Sequence, residues 1–142
     1  MQASFVRLDP EVSIPTRSHI GDAAVDLQAR YDISLEPGER ATVPTGLALA
    51  IPEGFAGLVL PRSGHAKRLG VGVVNGPGLI DSGYRGEVSV LLINHGSEKV
   101  LFRKGERIAQ LAVVPVAVVD WVEVESLDDT SRGDGGFGST GS

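Results

Sequence analysis

Turn residues at short, regular intervals constrain the fold of this chain more than any other sequence feature. Apolar segments of strand length recur about every eight to twelve residues, separated by turns such as 36–39 (EPGE), 52–54 (PEG) and 104–106 (KGE). The 19 Gly and 8 Pro suit many short strands. Residues 63–69 form the one plausible helix, with Ser63 able to cap it, and it is too short for a crossover between parallel strands. The pattern predicts an all-β, antiparallel β-sandwich or jelly roll with one short helix.

The predicted strands follow the apolar runs between these turns, and the stretch 75–93 is predicted to form a tight hairpin whose second strand begins at Val88. Besides a strand carrying Asp26, the predicted strands are 4–7, 33–35, 41–44, 46–51, 56–60, 71–74, 99–102, 108–114 and 116–124. Residues 1–127 are therefore expected to form one β-rich domain.

The C-terminal residues 128–142 differ in composition from the rest of the chain. They are rich in Gly and Ser and contain one aromatic residue, Phe137. Such a segment cannot bury enough apolar surface to fold by itself. We expect a mobile arm that becomes ordered when a ligand binds.

Composition excludes several classes of function. The formal net charge of −5 argues against sequence-independent binding to nucleic acid. The absence of cysteine excludes disulfides, thiolate nucleophiles and Cys-based zinc sites. The N-terminus has no signal-peptide pattern, and the longest apolar run, 111–119, is interrupted by Pro115. A cytoplasmic protein without membrane contact is expected.

The stretch NGPGLIDSGYRGEVSVLLI, residues 75–93, is the strongest candidate site. Gly76 and Gly78 carry no side chains, so a ligand could approach the backbone closely. Asp81 offers a carboxylate and Tyr84 an aromatic ring. Each also has an ordinary structural interpretation, since Asp81 could bond its own backbone in a turn and Tyr84 could belong to the core.

Four further blocks contain candidate chemistry. The block 61–64 (PRSG) stands where a strand meets the short helix and could bind phosphate, although it could equally be a capped helix start. Asp26 follows small residues, and Gln110 interrupts an apolar strand and needs a hydrogen-bond partner. The tail 132–141 (RGDGGFGSTG) is rich in glycine but lacks the G-K-[ST] of a Walker loop.

These five blocks, in order between Asp22 and Gly141, resemble those of the homotrimeric dUTPases. The resemblance implies the β-clip type of jelly roll and the hydrolysis of dUTP to dUMP and pyrophosphate, with Mg²⁺ and water attack on the α-phosphate. This activity keeps uracil out of DNA and supplies dUMP for thymidylate synthesis. The resemblance also implies active sites shared among three subunits, with the arm closing over bound nucleotide.

The resemblance further assigns roles to individual residues. Asp81 would be the general base, and Asp26 would hold Mg²⁺ through water. The phosphates would be bound by side chains and backbone of Arg62, Ser63, Gly64, Gln110, Arg132, Gly138, Ser139 and Thr140. The nucleoside would be bound by Asn75, Gly78, Leu79, Ile80, Asp81, Tyr84 and the backbone of Ser89, with Phe137 stacked on uracil.

Two other classes fit parts of the sequence. A dCTP deaminase, or a bifunctional deaminase–dUTPase, shares the fold and the I-D-x-G-[YF] stretch. Its chemistry uses a Glu ten residues beyond the Asp, where this chain has Leu91. A non-catalytic β-rich nucleotide-binding module is the other class, but it would not need Asp26, Asp81 and Arg132 together.

Overall fold

The computed structural model describes residues 2–135 and confirms the predicted all-β antiparallel fold with one short helix. The elements are β1 (Ser4–Arg7), β2 (Ala24–Gln28), β3 (Ile33–Leu35), β4 (Arg40–Ala50), β5 (Phe55–Pro61), α1 (Ser63–Leu69), β6 (Val71–Val73), β7 (Gly78–Ile80), β8 (Glu87–Asn94), β9 (Val100–Phe102) and β10 (Arg107–Pro115).

Two four-stranded sheets and one strand pair make up the fold. Sheet A has the order β1-β4-β8-β6, sheet B has the order β2-β10-β5-β7, and β3 pairs with β9. Every strand pair is antiparallel. Since sequence neighbours are distributed between the sheets, the chain crosses repeatedly from one sheet to the other.

The core consists of aliphatic side chains contributed by both sheets and by the β3–β9 pair. Burial alternates along β8, where Val88, Val90 and Leu92 are buried while the residues between them are not. This alternation is the period of two expected for a strand with one face on a core. Leu27 and Leu111 bring the facing surface of sheet B into the same buried cluster.

The predicted break at Thr45-Gly46 is a β-bulge inside one long strand, β4. The pairing with β8 shifts between Pro44, which faces Ser89, and Ala48, which faces Glu87. Gly46 has a φ of 72°, which favours glycine. The buried Thr45 hydroxyl donates to the backbone oxygen of Val88 at 2.7 Å, so the bulge remains attached to β8.

The predicted hairpin over 75–93 is wrong. β7 pairs with β5 in sheet B, whereas β8 pairs with β4 and β6 in sheet A. Residues 81–86 therefore carry the chain from one sheet to the other. Turn signals indicate that the chain reverses, but they do not identify the sheet that each flanking strand joins.

The helix prediction is confirmed in position but not in its cap. α1 begins at Ser63, and its N-cap residue is Arg62, with no side-chain capping bond. Gly70 ends the helix in the left-handed conformation, with φ 69°. No helix within residues 2–135 has the length and hydrophobicity of a membrane span.

The predicted strand at 116–124 is also wrong. After Pro115 the described chain has no helix or strand up to residue 135. Its apolar side chains are exposed, including Val118, Trp121, Val122 and Leu127 at 80 % or more. The β-branched composition is typical of a strand, but no strand among residues 2–135 pairs with this segment.

Asn94 is a fully buried polar residue at the end of β8. Its Nδ2 donates to the backbone oxygens of Leu35 at 3.0 Å and Glu98 at 2.8 Å, and its Oδ1 accepts the N–H of Gly96 at 2.9 Å. The side chain thus connects β8 with β3 and with the turn that leads to β9.

We expect Asn94→Leu to destabilise the fold by about 3 kcal/mol, because the branched shape of the side chain is kept while the three backbone partners lose their bonds. The measurement is the thermal unfolding midpoint at one fixed protein concentration. Glu98→Ala is the matched control, since only the backbone oxygen of Glu98 bonds to Asn94. Equal midpoints for the two variants would contradict this account.

Candidate active site

A cleft of about 290 Å³ opens between β7 and the first half of β8. β7 is the last strand of sheet B, so one of its backbone edges has no strand partner. β6 pairs with β8 only from Leu92 to Asn94, which leaves the 87–90 part of β8 without a partner on that side in the described chain. The cleft is lined by Val59, Asn75, Gly78, Leu79, Ile80, Asp81, Tyr84, Glu87, Val88, Ser89 and Leu91.

The cleft gathers seven residues that the sequence predicted to bind the nucleoside or act on it. They are Asn75, Gly78, Leu79, Ile80, Asp81, Tyr84 and Ser89. Ligand pockets for whole small molecules usually measure roughly 300–1,000 Å³. The cleft is at the lower end of that range, so it suits a nucleoside better than an entire nucleoside triphosphate.

Asp81 presents a free carboxylate to the cleft. The residue is exposed, and its side chain has no hydrogen bond or ion pair with any residue from 2 to 135. Its backbone oxygen accepts the N–H of Tyr84 at 3.1 Å, which forms the turn after β7. The turn is therefore held by backbone atoms, and the carboxylate is available to a ligand or to water.

Glu87 brings a second carboxylate to the cleft, but its oxygens are occupied. Both lie 3.2 Å from Nη1 of Arg30, and Oε1 also accepts the N–H of Gly46 at 2.7 Å. The bulge in β4 places that N–H opposite Glu87. Sequence reasoning missed Glu87, and no local signal connects it with Arg30, which is 57 residues away.

Arg30 is held in turn by a second carboxylate. Its Nε lies 3.7 Å from Asp9, which also contacts Lys104 at 3.1 Å. A hydrogen bond from the backbone N–H of Glu11 and the ammonium of Lys104 keep the pKa of Asp9 below its usual value. Asp9 thus stays ionised at neutral pH and balances the charge of Arg30 beside Glu87.

Tyr84 folds back over the turn rather than entering the core. It is 45 % exposed, and its hydroxyl donates to the backbone oxygen of Glu87 at 2.9 Å. A side chain at Gly86 would collide with the phenol ring, so this conformation depends on glycine there. The ring therefore has a fixed position at the entrance of the cleft.

The absence of a side chain at Gly78 allows Asn75 and Val59 to pack closely against its backbone in the wall of the cleft. A Cβ atom at Gly78 would lie 3.2 Å from Nδ2 of Asn75 and 3.4 Å from Cβ of Val59. Gly78 is buried, and the side chain of Asn75 covers its backbone from one side.

A second cluster forms at the end of sheet B, where Gln110 is directly opposite Asp26 on one side and Leu60 on the other. Nε of Arg62 is 2.9 Å from Oδ1 of Asp26, and Nη1 of Arg107 is 3.3 Å from Oδ2. The amide of Gln110 donates to the backbone oxygen of Pro61 at 3.0 Å. The structure thus brings Asp26, Arg62 and Gln110 together.

Ser63 and Gly64 adjoin this cluster through the chain, because α1 begins directly after Arg62. Ser63 is exposed. A Cβ atom at Gly64 would lie 3.2 Å from the guanidinium of Arg68, which therefore covers this turn of the helix.

The cleft that contains Asp81 is separate, within one chain, from the cluster of Asp26, Arg62, Arg107 and Gln110. We call this second group the phosphate cluster, after the role that the sequence predicts for it. None of Asp26, Arg62, Ser63 and Gln110 lines the cleft that contains Asp81. Arg132 is exposed and donates to the backbone oxygen of Gly135 at 2.9 Å, and it does not line the cleft. Phe137, Gly138, Ser139 and Thr140 lie outside the described residues.

The donor set for a metal ion is sparse. Residues 2–135 contain no group of three or more His, Asp or Glu side chains arranged to hold one. Asp26 alone offers a carboxylate at the phosphate cluster, and two arginines already contact it. Mg²⁺ usually keeps several waters and binds through one or two carboxylates plus substrate phosphates. Asp26 fits such a water-mediated contact, provided that the phosphates supply the other ligands.

Comparison with known proteins identifies the family of the chain. The dUTPase family model matches residues 10–141. The chain is 57 % identical over 136 residues to the deoxyuridine 5'-triphosphate nucleotidohydrolase of Nocardia farcinica, covering 95 % of this chain and 82 % of that protein. It is 53 % identical over 144 residues to the protein of the same name from Mycobacterium tuberculosis strain ATCC 25177 / H37Ra, covering 97 % and 94 %.

Solved structures of phage enzymes have the same fold. The Staphylococcus bacteriophage 80alpha dUTPase with dUpNHpp superposes with a TM-score of 0.88 at 30 % identity, covering 99 % of both chains. A mutant dUTPase from S. aureus phage phi11, described as coordinating a structural Mg(II) ion, gives 0.82 at 26 % identity, covering 89 % of this chain and 98 % of the other. The family model and the close relatives together establish that this chain belongs to the dUTPase family, the enzymes that hydrolyse dUTP to dUMP and pyrophosphate.

Proposed function

We propose that this enzyme hydrolyses dUTP by a water molecule that Asp81 activates for attack on the α-phosphorus. One observation carries the proposal. The cleft contains two carboxylates, and only that of Asp81 is without a partner among the described residues, since Glu87 is held by Arg30 and Gly46. A general base must reach and accept a proton, which a carboxylate already bonded to a cation and an N–H does poorly. Positioned proton transfer of this kind contributes about 10²–10⁴-fold to the rate.

The phosphate cluster would orient the triphosphate. Arg62 offers a planar set of donors that matches phosphate oxygens, and Ser63 adds a hydroxyl. Gln110 has a second N–H beyond the one that bonds Pro61. Mg²⁺, held by the phosphates and by Asp26 through water, would neutralise phosphate charge when bound. Rigid binding of the phosphates would keep the α-phosphorus and its leaving group in line with the attacking water.

The open backbone edges of the cleft would recognise the base. Backbone N–H and C=O groups cannot exchange places, so a set arranged for uracil rejects the reversed donor and acceptor of cytosine. A buried mismatch of this type can discriminate by about 10⁴-fold. Because Gly78 has no side chain, the backbone there could approach the base closely enough to leave no room for a thymine methyl group. The ring of Tyr84, whose hydroxyl bonds to the backbone oxygen of Glu87, would disfavour a ribose 2′-hydroxyl.

We further propose a homotrimer with shared active sites. The separation of the Asp81 cleft from Arg62 and Gln110 within one chain supports this, because a complete site then needs another subunit. The face of sheet B that carries Gln110 also carries Leu58, Leu60 and the 64 % exposed Leu79, on the side away from Asp26. Exposed apolar surface of this kind is typical of subunit contacts.

The residues after 127 would form an arm that closes over bound nucleotide. Arg132 would contact the terminal phosphate and Phe137 would stack on uracil, where base–aromatic stacking contributes about 1–3 kcal/mol. The domain before it already includes every strand found within residues 2–135. Closure would exclude water other than the attacking molecule.

Pyrophosphate release from dUTP, dCTP, dTTP and UTP, measured side by side with Mg²⁺, tests the substrate class. We expect turnover of dUTP and at least about 100-fold lower kcat/KM for the other three, because each mismatches the cleft at a different position. Comparable turnover of dCTP would contradict backbone recognition of uracil. Deamination of dCTP would contradict the assignment more directly, since Leu91 of the cleft has no proton to transfer.

Asp81→Asn should lower kcat at least about 100-fold while dUTP binding and the fold remain. The change keeps the size of the side chain and removes its basicity. Single-turnover hydrolysis and calorimetric titration with dUTP separate the two effects. Glu53→Gln is the matched control, a carboxyl-to-amide change in an exposed turn outside the cleft. Unchanged turnover in Asp81→Asn would exclude this residue as the base.

Co-refolding two inactive chains tests the shared site. A chain ending at residue 129 lacks the arm, and a full-length Asp81→Asn chain lacks the base. If base and arm come from different subunits, a one-to-one mixture should restore up to about one quarter of the wild-type sites.

The control mixture replaces the truncated chain with one that is both truncated and Asp81→Asn, which can form no complete site. Mixed trimers must be verified by native mass spectrometry. Mixed trimers without recovered activity would mean that each arm serves the Asp81 of its own chain.

A further inference from the structure

His65 on α1 contacts the arginine of the phosphate cluster, although no sequence motif assigns it a role. Its Nε2 lies 3.3 Å from Nη1 of Arg62. Its ring packs on Phe102 with centroids 5.1 Å apart and an angle of 42° between the planes. Its Nδ1 is buried without a hydrogen-bond partner in the part of the chain that the structure describes. The ring is therefore fixed between β9 and Arg62.

The contacts of Arg62 orient its guanidinium. Nε donates to Asp26 at 2.9 Å, and Nη1 reaches His65 at 3.3 Å and the backbone oxygen of Arg107 at 3.5 Å. Nη2 has no partner within residues 2–135. These contacts hold one side of the guanidinium, and the Nη2 side remains available for an anion.

The contact between Arg62 and His65 requires a neutral imidazole. A guanidinium can only donate hydrogen bonds, so Nε2 must accept, and a protonated ring has no acceptor nitrogen. Burial, followed by the charges of Arg62 and Arg68, lowers the pKa of His65. Arg107 also opposes its protonation, and Glu106 is the carboxylate that favours it. The surroundings of the ring thus favour the neutral form that the geometry needs.

We propose that neutral His65 is a positioning residue that holds Arg62 ready for the triphosphate, and that protonation of His65 in acid releases Arg62 and weakens nucleotide binding. The proposal rests on the phosphate-binding role proposed above for Arg62. An imidazolium would direct an N–H at the N–H of Arg62 and place two positive charges next to each other. The released guanidinium would retain its bond to Asp26 but lose its fixed orientation.

Acidification also lowers the folding stability through His65. The unfolded chain takes up a proton at His65 near pH 6.5, whereas the folded chain does so only at lower pH. The contribution of neutral His65 is therefore complete above about pH 6.5 and is lost as the pH falls through the interval between the two pKa values.

The test compares the wild type with His65→Gln and His65→Leu from pH 8 to pH 5, with dUTP and saturating Mg²⁺. Gln keeps an acceptor oxygen that does not titrate, and Leu removes the acceptor. We expect the wild-type KM to rise more steeply in acid than that of His65→Gln, by up to about tenfold once His65 is protonated, which is the effect of losing one hydrogen bond to a charged group. At pH 8, His65→Leu should already show a raised KM. The comparison between variants cancels the titration of dUTP itself.

His95→Gln is the control, because His95 is exposed and outside the phosphate cluster, and it should follow the wild-type curve. Equal pH dependence in wild type and His65→Gln would overturn the proposal. A wild-type KM that falls in acid would also overturn it, since protonated His65 would then bind phosphate directly. Absence of dUTP turnover at pH 8 in the wild type would instead refute the proposed function.

Discussion

Backbone hydrogen bonding of β8 is the constraint on which the rest of the structure depends. β8 pairs with β4 along most of its length, but with β6 only at its far end. Along the first half of β8, one backbone edge is therefore hydrogen-bonded to β4, and the opposite edge has no strand partner among the described residues. The cleft exists because β7 belongs to the opposite sheet and faces this open edge without pairing with it. A hairpin between β7 and β8 would have satisfied both edges and closed the site.

The two carboxylates of the cleft differ in their partners: that of Glu87 is bonded to other residues, and that of Asp81 is available to a ligand. Glu87 and Arg30 hold the bulge of β4 against the start of β8, so their charges stabilise the wall of the cleft. Within residues 2–135 the carboxylate of Asp81 has no such partner, and its turn is closed by a bond between backbone atoms of Asp81 and Tyr84. This division is the reason for proposing chemistry at Asp81 and structural support at Glu87.

In the phosphate cluster one carboxylate lies between two cations, so part of the positive charge is balanced before any ligand binds. Asp26 contacts both Arg62 and Arg107, and its charge offsets part of the repulsion between the two arginines. A triphosphate would add negative charge next to this set, and Mg²⁺ would offset part of it. Neutral His65 contributes a hydrogen-bond acceptor without adding charge. Burial and the charge of Arg62 lower the pKa of His65 and so favour this neutral form.

The sequence by itself determined most of the strand segments and the short helix, because turn residues and β-branched runs are local properties, and the order of its motifs predicted the candidate site residues. It could not determine which sheet each strand joins, so the hairpin over 75–93 and the strand over 116–124 were predicted wrongly. It also missed Glu87 and His65, whose contacts with Arg30 and Arg62 exist only because the fold brings these residues together. Only the tertiary structure decided these points, since strand pairing and charge pairing are settled by which distant segments lie next to each other.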